Sequence, residues 1–365
     1  MMHAADSASL TTRMQAGGLP LLEVDGWSSS RVAAIQSFRG LAGRAPSLTA
    51  GFREDSVDGL TLGALDGRVE RVVENTAPIT SGVARENDVS PLAAFNLALH
   101  VGDDPVEVQQ RRDALLAAAG VKRIKWLNQI HGSQVDIADD TNESDSEGVL
   151  PQADAVITAS PGVGCVVMTA DCLPILIAAR DGSVVGAVHA GWRGVVAGVI
   201  EASVAAVRAL RCVQSGIVDQ SPSLQSMARD QGLEAWIGPG IGHEAFEIGP
   251  EVREALLRAD RVASVGRFSR RGGDRDEHIG RDRDGSAASD AAFDSSLIGD
   301  ARRAFQQGRN DRWLADLTLL ARRRLAFLGV QTVACGACTF SDAQHWYSHR
   351  RDPGSGRQVS MIWRR

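Results

Sequence analysis

A thiol and an imidazole, Cys172 and His189, stand at the outer ends of two apolar runs, residues 173–179 and 184–188, joined by Arg180-Asp181-Gly182-Ser183. Asp-Gly between two apolar runs is the strongest short-range sign of a β-hairpin. If Asp181-Gly182 makes a two-residue loop, His189 lies opposite Pro174; if the loop is four residues wide, it lies opposite Cys172. Side chains alternate with period two, so Cys172 and Pro174 share a face, and either register sets thiol and imidazole on one side of the ladder. Directly opposed Cβ atoms are about 4.5–5.5 Å apart and diagonal ones about 7–8 Å. That spacing suits two ligands of one metal, or a nucleophilic thiol with its base. Taken singly, Cys172 reads as a small buried hydrophobe and His189 as a hydrogen-bonded core residue; the shared face favours chemistry.

The elements around the hairpin follow from local signals. Residues 31–37 read as a strand ending at Phe38-Arg39-Gly40. Residues 106–119 have helical spacing, with Asp104 as N-cap, Pro105 at the first helical position and Gly120 past the end. Arg111 and Arg112 lie on that helix, and Arg112 is a candidate ligand-binding residue. Asn128-Gln129-Ile130-His131-Gly132 reads as a strand delivering His131 at its end. Residues 153–158 and 164–168 read as strands feeding the hairpin. After His189, Gly191-Trp192-Arg193-Gly194 turns the chain into a helix over about residues 195–210. A strand at 235–237 and a glycine-rich turn at 238–242 precede a helix through 251–257. A long amphipathic helix is expected over 313–329, with closing strands at 330–335, 347–351 and 359–363. Cys335-Gly336-Ala337-Cys338 with His345 and His349 superficially resembles a zinc finger, but the gap between the pairs is too short and no ββα pattern surrounds it.

The 365-residue chain, 44% hydrophobic, can bury a large core. It is expected to comprise a flexible N-terminal extension, 1–30, and a single catalytic domain, 31–365. Irregular insertions fall at about 41–90, 211–231 and 260–300. The last mixes Arg, Asp, Gly and Ser with so few apolar residues that disorder is expected. No window holds the ~20 apolar residues of a membrane helix, and the N-terminus lacks a secretory pattern. Five cysteines make no disulfide framework. A cytoplasmic protein without membrane partners is expected. A net charge of -6 argues against nucleic acid as a partner.

Asn96-Leu97 with His100-Val101-Gly102-Asp103-Asp104, Gln129-Ile130-His131-Gly132, Ala170-Asp171-Cys172, His189-Ala190-Gly191-Trp192-Arg193-Gly194, Gly238-Pro239 with Ile241-Gly242, and Arg350-Arg351-Asp352 with Gly356-Arg357 occur in that order. Together they resemble the laccase-domain family, whose bacterial members are labelled polyphenol oxidase or purine nucleoside phosphorylase. The resemblance implies an α+β fold, an α/β sandwich of mixed sheets flanked by helices. It implies zinc held by His131, Cys172 and His189, with copper as the alternative. It also implies Asn96 as a substrate-binding residue. Members cleave adenosine, inosine and methylthioadenosine with phosphate and deaminate adenosine; others are described as copper-dependent phenol oxidases or editors of peptidoglycan precursors. The chain departs from the family at His243-Glu244-Ala245 and at Arg111, where Asn is usual. Arg53 rivals Arg39 for one family position.

The ligand chemistry agrees with that resemblance. One thiolate and two imidazoles suit zinc, and three protein ligands leave a fourth position open, as in catalytic sites. Such a zinc lowers the pKa of bound water to about 7, which suits deamination of a purine. Phosphorolysis calls for arginines that clamp phosphate, with Arg39, Arg112 and Arg193 the candidates in that order. Asp154 or Asp171 is expected to orient a ligand or assist proton transfer, or else to cap a turn. The leading expectation is a zinc-dependent purine nucleoside phosphorylase with adenosine deaminase activity, acting on a nucleoside and phosphate. The alternatives are a copper-dependent polyphenol oxidase and an amidase in which Cys172 is the nucleophile and His189 its base.

Overall fold

Period-two alternation sorts the strands into two sheets with a shared interior. The structure, a computed structural model, describes residues 19–40, 92, 94–139, 149–214, 232–268 and 300–365. The strands are β1 (Leu21–Glu23), β2 (Val32–Ser37), β3 (Arg123–Lys125), β4 (Val135–Ala138), β5 (Ala155–Thr158), β6 (Val163–Thr169), β7 (Leu173–Ala179), β8 (Val185–Ala190), β9 (Leu233–Ile237), β10 (Glu247–Ile248), β11 (Phe305–Gln307), β12 (Trp313–Ala315), β13 (Gln331–Ala334) and β14 (Gln358–Arg364). The helices are α1 (Pro105–Ala119), α2 (Trp192–Ala197), α3 (Val199–Gln214), α4 (Pro250–Phe268) and α5 (Leu317–Phe327).

One sheet runs β1-β2-β14-β6-β3, the other β13-β9-β7-β8-β5-β4, and β10-β12-β11 form a small third. β3 with β6, β4 with β5, and β13 with β9 pair parallel. Their other pairings are antiparallel, so both large sheets are mixed. Along the first sheet Val32, Ala34, Cys165, Val167 and Ile362 turn inward and meet Val156, Leu176, Val185, Ala187 and Trp236 of the second. Their neighbours Ala33, Ile35, Val166, Met168 and Met361 turn outward against Leu115, Ala118 and Ala119 of α1. The outer face of the second sheet packs on the remaining helices through Val195, Val204, Leu256 and Leu320. The result is the expected sandwich, helix on sheet on sheet on helices.

Helix α1 has the anticipated ends. Asp104 accepts from the amide of Val106, Pro105 opens the helix, and Gly120 closes it at φ 65°.

Several boundaries differ from expectation. The extension expected to be flexible over 1–30 is built into the fold from residue 19, because β1 pairs with β2 and buries Leu21. The long helix expected over 313–329 is a strand and a shorter helix, split at Asp316, whose carboxylate caps α5 by accepting from Leu319 N at 2.7 Å. The helix expected over 195–210 is α2 and α3, divided by Gly198 at φ 90°. The insertion expected at 260–300 begins inside α4, where Asp260 is buried, and that at 211–231 begins inside α3. The rest of those two, residues 215–231 and 269–299, and all of 41–90 lie outside the described residues. Residues 347–351 are not a strand: 347 and 348 lie in irregular backbone and 349–351 in a turn.

Candidate metal centre

The chain crosses between the two large sheets four times among the described elements, and two of these crossings build the site. β6 ends in the first sheet and β7 begins in the second, so Ala170-Asp171-Cys172 is one crossing. The path from β3 to β4 is the other, and it carries His131 on a loop rather than the expected strand. β8 supplies His189 opposite Pro174, the register of a two-residue loop at Asp181-Gly182.

Both crossings use left-handed backbone at a residue other than glycine, φ 92° at Asp171 and 59° at His131. Such residues persist only where their surroundings hold them. The Asp171 carboxylate accepts from Thr339 Oγ1 at 2.7 Å and from the Arg350 amide at 2.6 Å. The Asp154 carboxylate accepts from the amides of Ile130, His131 and Gly132 at 3.3, 2.9 and 2.6 Å. Gln129 ties this loop to β6 by donating to Met168 O and accepting from Met168 N, both at 2.8 Å.

His131, Cys172 and His189 meet, with their ligand atoms all within 4.8 Å of one another. Cys172 Sγ lies 3.9 Å from His131 Nε2, and the two rings meet edge-on at 4.8 Å. Zinc–ligand lengths imply donor separations of roughly 3.3–3.6 Å in a tetrahedral site, so small side-chain movements would seat the ion. The donor set, one sulfur and two nitrogens, fits zinc. His189 is buried while His131 is exposed, which leaves the cluster open on the solvent side. Asp154, fully buried, also bonds His189 Nδ1 at 2.8 Å, and this leaves Nε2 as the ligand atom. Gly191 has no room for a side chain: a Cβ there would sit 2.8 Å from Cys172 Sγ and 3.1 Å from the His131 ring.

The cluster's charges reinforce one another. Desolvation would push the Cys172 thiol up, but His189 and His131 outweigh it and bring it down to about 6. Desolvation would lower His189, yet the Cys172 thiolate and Asp154 raise it to about 9. Burial likewise works against ionised Asp154, and its hydrogen bonds from His189, Gly132 and His131 prevail, holding it below the usual carboxylate range. Metal binding therefore meets a ready thiolate.

The remaining candidates sit at different distances from this chemistry. Asp171 adjoins Cys172 and shapes its approach. Arg193 is exposed, stacked 4.5 Å over Trp192 at the start of α2. Arg112 is buried, donates from Nε to Leu97 O at 2.9 Å and lies 3.7 Å over the Trp126 ring. Arg39 is buried beneath the C-terminal segment, bonded to Ala343 O at 3.1 Å and 5.4 Å over Tyr347. Asn96 is fully buried: it donates to Ala98 O and Asp103 Oδ2 and accepts from the amides of Ala98 and Arg357. Its amide has no capacity left for a substrate, contrary to the role expected of it. The Cys335 and Cys338 pair joins no metal-ligand group among the described residues. Sequence reasoning gave no role to Gln129, Gly191, Thr339 or Arg350, whose effect on the ligands depends on contacts across the fold.

The match to known proteins extends over most of the chain. Residues 81–281 and 286–365 match the family described as multi-copper polyphenol oxidoreductase laccase. The chain belongs to the laccase-domain family. A laccase-domain relative from Shigella flexneri, named purine nucleoside phosphorylase YfiH, is 36% identical over 295 residues, covering 78% of this chain and 96% of the relative. The Escherichia coli protein of the same name is 36% identical over 275 residues, covering 75% and 87%. The crystal structure of a DUF152 protein from Neisseria meningitidis superposes with a TM-score of 0.58 at 25% identity, over 94% of this chain and 99% of that one. No helix among the described residues of this laccase-domain chain is long and apolar enough to cross a membrane.

Proposed function

We propose that this protein is a zinc-dependent purine nucleoside phosphorylase that cleaves adenosine, inosine and 5′-methylthioadenosine with phosphate, and that it also deaminates adenosine. The observation that carries the reading is the three-ligand cluster of His131, Cys172 and His189 with a solvent-facing side, supported by the names of the relatives. When bound there, zinc supplies a Lewis-acid position and lowers the pKa of a coordinated water to about 7.

The chain's own groups have defined tasks. Asp154 fixes the His189 tautomer and the His131 loop together, while Asp171 fixes the turn that presents Cys172. Arginines hold phosphate against its own charge. In phosphorolysis a phosphate oxygen bonds to the anomeric carbon as the carbon–nitrogen bond breaks, and the base leaves with the electron pair and takes up a proton. In deamination water adds at the ring carbon bearing the amine, and ammonia leaves. None of the five cysteines is in a disulfide, which supports a reducing, cytoplasmic setting.

A second reading, a metal-free amidase with Cys172 as nucleophile, is favoured by the lowered thiol. A copper oxidase acting on phenols draws support from the family description, but the described residues offer a single three-ligand group. One experiment separates the three. Protein purified without added metal is assayed for zinc and copper per protomer, then incubated with adenosine with and without phosphate. Zinc near one per protomer and ribose 1-phosphate formed only with phosphate are expected. Full activity after complete chelation would overturn the proposal in favour of the thiol hydrolase, and copper-dependent phenol oxidation in favour of the oxidase.

A further inference from the structure

Cys172 reaches the cluster from a turn that the C-terminal half of the chain holds in place. Its neighbour Asp171 stands at φ 92°, a left-handed conformation that an aspartate keeps only where its surroundings over-determine it. Three groups grip that residue. Thr339 Oγ1 donates to Oδ1 at 2.7 Å, the Arg350 amide to Oδ2 at 2.6 Å, and the Ile241 amide to the backbone carbonyl at 2.8 Å. Two of the three are backbone amides, which residues of other types would supply as well. Thr339 contributes a side chain, and with it a requirement on residue type.

Thr339 is itself firmly placed. It is 0% exposed, and its amide donates to Gly240 O at 2.9 Å. The Gly240 amide in turn donates to Ala337 O at 3.3 Å, so Gly240 and Cys338 form a short parallel bridge. Glycine is needed there: a Cβ at position 240 would collide with the Leu173 side chain and sit 3.3 Å from Asp171 O. Arg351 gathers the segment by its carbonyls, donating to Thr339 O at 2.7 Å, Phe340 O at 2.9 Å and Trp346 O at 2.8 Å. A threonine hydroxyl has one proton to donate, and this one is committed to Asp171, 168 residues away in the chain. The sulfur that follows has little freedom. Cys172 Sγ lies 3.9 Å from His131 Nε2 and so near Gly191 that a Cβ there would be 2.8 Å from it. Rotation of the backbone at residue 171 would carry the thiol out of that slot.

We infer that Thr339 is a positioning residue for the metal centre: its buried hydroxyl, by holding the Asp171 carboxylate, keeps the left-handed turn that points the Cys172 sulfur at the two histidines. The inference rests on the metal reading above and is independent of which reaction the metal serves. Arg351 and Gly240 act one step further back, by placing Thr339.

The test uses full-length protein purified without metal and then loaded with zinc or cobalt(II). Cobalt bound to a thiolate absorbs in the near ultraviolet, so its spectrum reports the Cys172 bond directly. Thr339→Val keeps the shape and removes the hydroxyl. It is expected to weaken zinc binding about tenfold, the low end for a group that orients a ligand, and to shift or weaken the thiolate-to-cobalt band. Thr339→Ser retains the hydroxyl and should restore both. Asp171→Gly supplies the second half of the test, since glycine adopts positive φ without being held. In that background Thr339→Val should change zinc affinity no further. A Thr339→Val protein that melts earlier yet matches wild type in zinc affinity and cobalt spectrum overturns the inference, because the hydroxyl then serves stability alone. An equal loss of affinity from Thr339→Val in the Asp171→Gly protein overturns it too, because the effect then bypasses Asp171. Thr339→Ala carries the same expectation and the same two refutations if valine is not accommodated. Failure of the metal reading shows in a different protein. Wild type that takes up neither ion ends that reading and the inference with it, whereas wild type with the cobalt band beside an indifferent Thr339→Val ends the inference alone.

Discussion

A single carboxylate holds two members of the His131, Cys172 and His189 cluster in place. Asp154 accepts three loop amides around His131 and bonds the ring of His189, so ligands from a loop and from a strand answer to one buried charge. Replacing it with Asn keeps the shape but turns a donor toward groups that all donate. Asp154→Asn is expected to weaken zinc binding about 10–100-fold while the protein remains folded; competition against a chelator of known affinity measures the first and thermal melting the second. Unchanged affinity would mean that the loop and His189 are set without it. That Cys172 and His189 lie together was legible because a hairpin's period of two needs no tertiary knowledge, whereas His131, on a loop from the other crossing, was reached only through the family motif. The choice for Asp154 between orienting a ligand and capping a turn stayed open in the sequence, and the fold gives its carboxylate both the His189 ring and the loop amides. Arg39 and Asn96 were not legible. What covers them, Ala343, Tyr347 and the backbone of Arg357, lies far along the chain, and no local pattern encodes that burial.

Among the elements, those with end signals in their own sequence were readable, and those made by distant pairing were not. Helix α1 carries its cap, its proline and its closing glycine within the helix and its flanks. Helix α4 runs past residue 260 into a stretch that composition marks as unable to fold, because charges there are paired rather than solvated. Asp260 is 3% exposed and meets Arg323 at 3.0 Å and Arg324 at 3.8 Å on α5, while Arg324 reaches Glu201 of α3 at 2.5 Å. One acid on α4 thus binds α5 to it, and α5 in turn binds α3. Removing one partner of a buried pair leaves the other charge uncompensated, at a cost of about 3–5 kcal/mol. Asp260→Ala is expected to lose that much in urea unfolding. A change below about 1 kcal/mol would show that water reaches the arginines and that apolar contacts alone hold the three helices.

Across the whole molecule, the sandwich buries acids that are neutral in the fold and ionise readily outside it. Cys165, between the sheets, Cys335, pushed up to about 12, and Tyr347 are all raised, with desolvation the largest cause. In an unfolded chain a thiol titrates near about 8.5 and a phenol near about 10. A folded pKa above the unfolded one means the native state holds its proton longer. The stabilisation is therefore complete below the unfolded value and is lost as pH rises toward the folded one. With two thiols releasing protons only on unfolding, stability is expected to fall by roughly 3 kcal/mol between about pH 8.5 and 10. Cys165→Ala with Cys335→Ala should lower stability at pH 8, through lost packing, yet flatten this alkaline limb relative to wild type. Chemical unfolding of the two proteins at several pH values across that interval measures both effects. Parallel limbs would assign the alkaline loss to groups other than the buried thiols.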